Sequence, residues 1–206
     1  MNKNITIVLD LDMLLTQDSD EDFLFYLAEI KKMDQCIYNA LDVEERRSIQ
    51  NEYQESGRTI SFKPTPGARE VLSRLKKRAG FNITFFIKTD RNELFSQRYT
   101  DLWVQRHYAD FIKRAYSTQY RNGQRVEDKA QFCVRKNAHV FVDDHWGHVS
   151  KTAKKLPHCL TLLYTQNRNK DVTQEDFTVN IERVFNWKQI YKKIILFLET
   201  QEHIQI

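Results

Sequence analysis

Cysteine, proline and glycine are all scarce: three, three and five residues in a chain of 206. Cys36, Cys133 and Cys159 are an odd count without CxxC spacing, which argues against a disulfide framework and against a structural zinc. The chain reads as one built for a reducing cytoplasm. With 41% hydrophobic residues and so little Gly and Pro, it is too apolar for a disordered chain, and no repeat period suggests a solenoid. No run of about 18 apolar residues is present, so no membrane-spanning helix is expected. The opening MNKNITIVLDLDMLL has a short apolar run broken by two aspartates, a poor signal peptide. Charge of one sign is also lacking. Thirty-two basic and 28 acidic residues leave a net +4, without the basic stripe and interleaved aromatics of a nucleic-acid binder. Neither a Ser/His/Asp triad nor a Gly-rich phosphate loop occurs.

What is present is an alternation of strand and helix patterns. Ile5–Leu9 is a buried strand ending in Asp10. From Asp20 to about Glu55 the period turns helical, with Phe23, Leu27 and Ile30 on one face and Asp42 as an N-cap before Glu44 and Glu45. The acidic residues Asp18–Asp22 lie at its start. Lys63-Pro64-Thr65-Pro66-Gly67 is the strongest break, and it opens a helix through Ala68, Val71, Leu72 and Leu75 that Gly80 stops. Ile83–Ile87 is a second buried strand, ending at Lys88-Thr89-Asp90. A helix carrying Phe95, Tyr99, Leu102 and Trp103, a strand within Phe111–Ser117, a turn at Arg121–Gln124 and a helix over Glu127–Lys136 follow. His139–Val142 is a strand ending in Asp143-Asp144. A helix, the strand Cys159–Tyr164 and a last helix with Trp187, Ile190, Tyr191, Ile194, Ile195 and Leu198 on its core stripe complete the chain. This order predicts an α/β fold with a parallel sheet covered by helices on both faces.

Three buried strands thus end in polar clusters: Asp10-x-Asp12, Thr89 and Asp143-Asp144. In an open parallel sheet, ligands bind outside the carboxyl ends of the strands, so all three fall on the binding edge. Ile-Val-Leu-Asp10-Leu-Asp12, Phe-Phe-Ile-Lys-Thr89, Lys129 in Glu-Asp-Lys-Ala, and Val-Phe-Val-Asp143-Asp144 together resemble the four motifs of the haloacid dehalogenase (HAD) superfamily of phosphatases. The segment Pro64–Leu75 resembles the helix that usually precedes the second motif. One departure is Leu14, where family members often carry Thr.

The resemblance implies a Rossmann-like core over residues 1–17 and 61–206 and a small helical cap over 18–60. It implies a Mg²⁺-dependent phosphomonoesterase in which Asp10 attacks phosphorus. Asp12 would be the acid and then the base, its backbone carbonyl facing the metal. Thr89 and the amides after it, beginning with Asp90, would hold phosphoryl oxygens together with Lys129. Asp143, alone or with Asp144, would complete the metal site formed by Asp10 and Asp12. The residue types suit that chemistry: a carboxylate is repelled by a phosphate anion unless a hard cation bridges the two.

Blander readings stand beside these. As lesser alternatives, Asp12 reads as an ordinary turn residue and Thr89 as a helix N-cap, and Arg135 or Lys136 competes with Lys129. His145 and His148, flanking Trp146, read as surface or supporting residues rather than metal ligands. Phe23, Phe25, Tyr26, Tyr38 and Tyr53 in the cap either stack on a phenol or a base or pack the cap itself. A small cap leaves a site open, which puts phosphoproteins first, phosphotyrosine leading. A layout similar to the 5′(3′)-deoxyribonucleotidases makes a nucleoside monophosphate or small metabolite the alternative, and a catalytically degenerate binding module is the third class. The expected location is cytoplasmic, and an Asn-, Lys- and Gln-rich composition suits a bacterial chain, including one delivered to a host cytosol as an effector.

Overall fold

The computed structural model describes residues 2–17, 19–166 and 169–203; Asp18, at the start of the acidic run and of the expected insertion, lies outside them. Strand β1 (Lys3–Leu9) runs through the middle of the sheet, and its apolar residues are buried on both faces. Ile5, Ile7 and Leu9 pack into one core cluster and Val8 into the other. That is why the run shows no polar alternation: a parallel strand covered on both sides has no wet face.

The remaining strands are β2 (Phe81–Asn92), β3 (Ala115–Thr118), the short hairpin β4 (Tyr120–Arg121) and β5 (Gln124–Arg125), then β6 (Val140–Asp143), β7 (Leu160–Tyr164) and β8 (Ile181–Val184). Six of them form one sheet in the order β3-β2-β1-β6-β7-β8, every pair parallel. The chain leaves β1 for β2 on one side and returns to β6 on the other. The point of reversal lies at β1, where a crevice opens beyond the strand ends.

Helices α4 (Ala68–Lys76), α5 (Glu93–Tyr108) and α8 (Trp187–His203) bury Leu72, Trp103 and Ile190 against one face. On the other face, α6 (Lys129–Arg135) and α7 (Trp146–Lys155) bury Phe132 and Val149. None of the helices among the described residues is long and apolar enough to cross a membrane.

Between β1 and α4 the chain is helical: α1 (Ser19–Phe25) runs into a π-turn at Tyr26–Ile30, followed by α2 (Gln35–Ala40), α3 (Val43–Glu55) and a 3₁₀ turn at Arg58–Ser61. Asp42 caps α3 in a reciprocal box, its carboxylate accepting from the Glu45 amide at 2.8 Å and its amide donating to the Glu45 carboxylate at 3.2 Å. Such a cap is worth about 1 kcal/mol. At Gly57, φ is +75° and a Cβ would stand 3.1 Å from the Tyr99 ring, so only glycine brings this end of the helical segment so close to α5.

Several elements differ from the sequence expectation. The helical pattern from Asp20 to Glu55 is divided, because Lys32 adopts φ +50° and Asp34 and Asp42 each cap a new helix. The third strand begins only at Ala115, since the amides of Phe111 and Ile112 both close a turn onto the Tyr108 carbonyl. Helix α4 ends at Lys76, and Gly80, with φ +83°, belongs to the turn before β2. In α5 the buried face is Ser96, Thr100, Trp103, Val104 and Tyr108, whereas Leu102 is exposed. Strand β8 was not expected, because Glu182 and Arg183 interrupt its two buried residues.

Candidate active site at the carboxyl edge of the sheet

Asp10 follows β1 directly, and its amide donates to the Val142 carbonyl at 2.9 Å, so it lies level with the end of β6. Its own Oδ1 accepts from the Leu11 amide at 2.7 Å. Asp143 ends β6 and Asp144 follows it; both are fully buried. Carboxylate oxygens of Asp10, Asp143 and Asp144 lie within 4.8 Å of one another.

Lys129 reaches this cluster because α6 starts where it does. Asp128 caps the helix, accepting from the Gln131 amide at 2.8 Å, and Lys129 is the first helical residue. An ammonium at a helix N-terminus is disfavoured by the helix dipole; here two carboxylates offset that cost. Lys129 Nζ lies 2.7 Å from Asp10 Oδ1 and 2.8 Å from Asp143 Oδ2, in a side chain only 2% exposed. Burial alone would lower its pKa, but Asp10, Asp143 and Asp90 outweigh it and hold the ammonium above the ordinary lysine range. Arg135 instead pairs with Glu127 outside the site, and Lys136 lies over the rings of Phe86, Tyr116 and Phe132. Of the three candidates, Lys129 is the one whose side chain reaches the acid cluster.

Asp12, two residues beyond Asp10, lines the same cavity but is held by other partners. Arg91 donates to it from Nε at 3.1 Å and from Nη2 at 2.6 Å. The Thr89 hydroxyl, at 3.4 Å, adds a longer contact and also accepts from the Arg91 amide at 3.2 Å. The Asp12 carboxylate is therefore not one of the three clustered acids. Arg91, 5% exposed, is further tied to the Thr100 hydroxyl at 3.2 Å. The sequence reading missed Arg91, although a buried arginine almost always marks a paired carboxylate.

Asp90 turns its carboxylate toward His148 Nε2 at 3.1 Å and Arg125 Nη1 at 3.3 Å. Burial works to raise its pKa, yet His148, Lys129 and Arg125 hold it well below the usual carboxylate range. Its side chain is thus committed to cations, and only its backbone suits an anion. His148 bridges to the cluster through Nδ1, 3.3 Å from Asp143 Oδ2. Burial would lower its pKa, but bonds to Asp143 and Asp90 raise it to about 9. His148 thus supports the acids through its ring, whereas His145 is exposed and donates its backbone amide to Asp143 Oδ1 at 2.7 Å.

Burial, and next the neighbouring Asp143, push the Asp10 carboxyl well above its ordinary pKa. Asp10, Asp143 and Asp144 bring a set of hard oxygen donors together, and after burial their mutual repulsion is one cause of the raised Asp10 pKa. That donor set fits a divalent cation of the Mg²⁺ type.

The loop after Asp12 is anchored from the core rather than by a threonine. Leu14 is fully buried, and the Trp187 indole donates to its carbonyl at 3.1 Å. The Tyr108 hydroxyl donates to the next carbonyl, that of Leu15, at 3.3 Å.

A cavity of about 300 Å³ opens above the acids, with Thr89, Arg91 and Lys129 on its floor side and Phe23, Gln50 and Tyr53 on its helical side. Of the five cap aromatics, Tyr26 and Tyr38 are buried in mutual packing around Phe23 and Tyr53, with centroids 5.0–5.4 Å apart. Phe25 is more than half exposed beneath the Arg58 guanidinium. Of these five, only Phe23 and Tyr53 reach the cavity wall.

Comparison with known structures agrees with this architecture. The HAD domain of the effector protein Lem4 from Legionella pneumophila (an inactive mutant) is similar at TM-score 0.51 and 15% identity, over 100% of both chains. A 2-haloacid dehalogenase from Pseudomonas syringae pv. Tomato is similar at 0.51 and 14%, over 96% of this chain and 100% of that one. CbbY from Rhodobacter sphaeroides in complex with phosphate is similar at 0.50 and 13%, over 90% and 94%. No family model matches the sequence, and no curated protein does. The fold is that of the HAD superfamily.

Proposed function

We propose that this HAD-fold chain is a Mg²⁺-dependent phosphomonoesterase with Asp10 as nucleophile, acting on phosphoproteins with phosphotyrosine first. The observation that carries this reading is the convergence of Asp10, Asp143, Asp144 and Lys129 at the reversal point of the sheet, with Asp10 Oδ1 and Asp143 Oδ2 both within 2.8 Å of one ammonium. Residues 1–17 and 61–206 form the catalytic core in this reading, and residues 18–60 the cap.

Asp10 would attack phosphorus while the bond to the leaving oxygen breaks, giving an aspartyl-phosphate. Asp12 would pass a proton to that oxygen, then take one from the water that attacks the same phosphorus. Inorganic phosphate leaves and Asp10 is regenerated. Thr89, the backbone at Asp90 and Lys129 would hold the phosphoryl oxygens as their charge grows. Bound at Asp10, Asp143 and Asp144, with the Asp12 backbone carbonyl as a further donor, Mg²⁺ would remove the repulsion between carboxylate and phosphate.

Two features favour an aryl ester. Phe23, Tyr53 and Phe62 line the cavity and offer aromatic surface to a phenyl ring. In addition, both Asp12 oxygens accept bonds from Arg91, and a phenol, with a pKa near ~10, demands little from an acid.

The test is a turnover screen comparing a generic aryl phosphate, phosphotyrosine peptides and nucleoside monophosphates. The expected order places phosphotyrosine peptides above every nucleotide in kcat/KM. A deoxynucleotide preferred by more than about tenfold moves the chain to the nucleotidase reading, and no turnover of any ester leaves the binding module.

A further inference from the structure

We propose that the groove between α3 and the β4–β5 hairpin is a specificity subsite for an acidic side chain flanking the phosphorylated residue of a polypeptide substrate. The inference rests on the phosphoprotein reading above and adds to it the charge of the sequence around the scissile ester.

The groove holds about 340 Å³ and is lined by Tyr38, Val43, Arg46, Arg47, Gln50 and Tyr120. Gln50 also lines the catalytic cavity, so the two spaces share a wall. A chain with its phosphorylated residue over Asp10 therefore places a neighbouring side chain within reach of the two arginines.

Their charge is uncommitted. Arg58, Arg69, Arg91, Arg125 and Arg135 each pair with a carboxylate. Among the described residues, Arg46 and Arg47 pair with none. Along α3, Glu45 is engaged in the cap on Asp42 and Glu52 with Lys31, and among the described residues no ion pair joins Glu44 to either arginine. Two guanidinium groups without a carboxylate partner among the described residues, beside a site for an anionic ester, favour further negative charge on the ligand.

The groove is also held in register with the phosphate site. The Arg47 guanidinium lies 5.5 Å from the Tyr120 ring centroid, and Tyr120 is paired with Arg125 across the β4–β5 hairpin. Arg125 in turn pairs with Asp90, next to Thr89. A hairpin tied to the end of β2 keeps its distance from Asp10, which is what a subsite requires. The remaining lining is mixed, with Gln50 polar and the exposed Val43 apolar. Two cations with an apolar side chain beside them suit the carboxylate and stem of Glu or Asp on a peptide.

The experiment uses the full chain and phosphotyrosine peptides that differ only in flanking Glu, Ala or Lys. Exposed charge pairs are weak, so the expected kcat/KM preference for Glu over Lys flanks is about fivefold, shrinking as salt screens it. The double variant Arg46→Glu/Arg47→Glu should invert the order, a change of ratio that a general loss of structure does not produce. Turnover of a generic aryl phosphate is followed in parallel, because its absence in the wild type overturns the phosphatase reading. In that event, fluorescence anisotropy with the same peptides carrying phosphonomethyl-phenylalanine still reads the charge preference. Equal values for Glu and Lys flanks, or a ratio untouched by the double variant, would overturn the proposal. So would an arginine-dependent preference for nucleoside bisphosphates over monophosphates, which assigns the groove to a second phosphate.

Discussion

Arg91 grips Asp12 with two hydrogen bonds, Nε to Oδ2 at 3.1 Å and Nη2 to Oδ1 at 2.6 Å, from a side chain almost wholly removed from solvent. A guanidinium fixes both oxygens of a carboxylate in one plane, which an ammonium cannot do. The orientation of Asp12 over the cavity is thus set from β2 and not by its own loop alone.

Arg91→Lys keeps the charge and loses the fork. Turnover of an aryl phosphate should fall by about tenfold or more, with a larger fall for an alkyl phosphate, because the poorer leaving group depends more on a well-placed Asp12. Equal turnover of both esters in wild type and variant would show that the pair has no part in the chemistry.

Asp10→Asn removes the proposed nucleophile and one of the crowded acids together. Turnover should drop by more than about a thousandfold. The fold should persist with an unfolding temperature equal to or above that of the metal-free wild type, since burial and Asp143 disfavour the Asp10 charge. Near-normal turnover with an unchanged circular dichroism spectrum would remove Asp10 from its role.

Chelation should silence the enzyme and Mg²⁺ restore it. Independently of activity, added Mg²⁺ should raise the unfolding temperature of the wild type, as any ligand of the native state does, and Asp143→Asn should abolish that rise. Full turnover after exhaustive chelation would point to a metal-free mechanism.

Asp22 links the helical segment to itself: Arg58 donates to its two oxygens at 2.6 and 2.9 Å, and the Tyr53 hydroxyl adds a third bond at 2.9 Å. Burial works against the charge, but these bonds hold the Asp22 pKa below its ordinary value. A depressed folded-state pKa stabilises above the unfolded value of about 3.9 and loses that contribution as pH falls through the folded value. Asp22→Asn should therefore cost about 1–2 kcal/mol at pH 6, and the gap to wild type should close below about pH 4. Denaturant melts showing a constant gap down to pH 3 would exclude an ionised Asp22 as its source.

Trp187→Phe preserves most of the buried ring but removes the donor to the Leu14 carbonyl. The expected loss is about 1 kcal/mol of stability, with a fall in kcat at nearly constant KM because the loop carrying Asp12 loses an anchor. A change in stability alone would confine Trp187 to packing.

The sequence by itself determined the frame. Buried parallel strands carry unbroken apolar runs, so Ile5–Leu9, Ile83–Ile87 and the strand before Asp143 were legible, and the polar residues that end them fall on one edge by the geometry of the fold. The cap at Asp42 was legible for a similar reason, since its bonds join residues three apart in the chain. Lys129 was readable only as one of three cations. Selecting it took the position of α6 against β1 and β6, which depends on contacts between residues more than a hundred apart. Arg91 on Asp12 and Trp187 on Leu14 left no mark at all, and His148 was legible only as a surface or supporting histidine, without its partners Asp90 and Asp143. Each partnership is made by side chains meeting across separate elements, and local spacing carries no record of such meetings. Strand β8 escaped for a related reason: at the edge of a sheet, half-exposed positions tolerate charge, and the apolar pattern that betrays a central strand is lost.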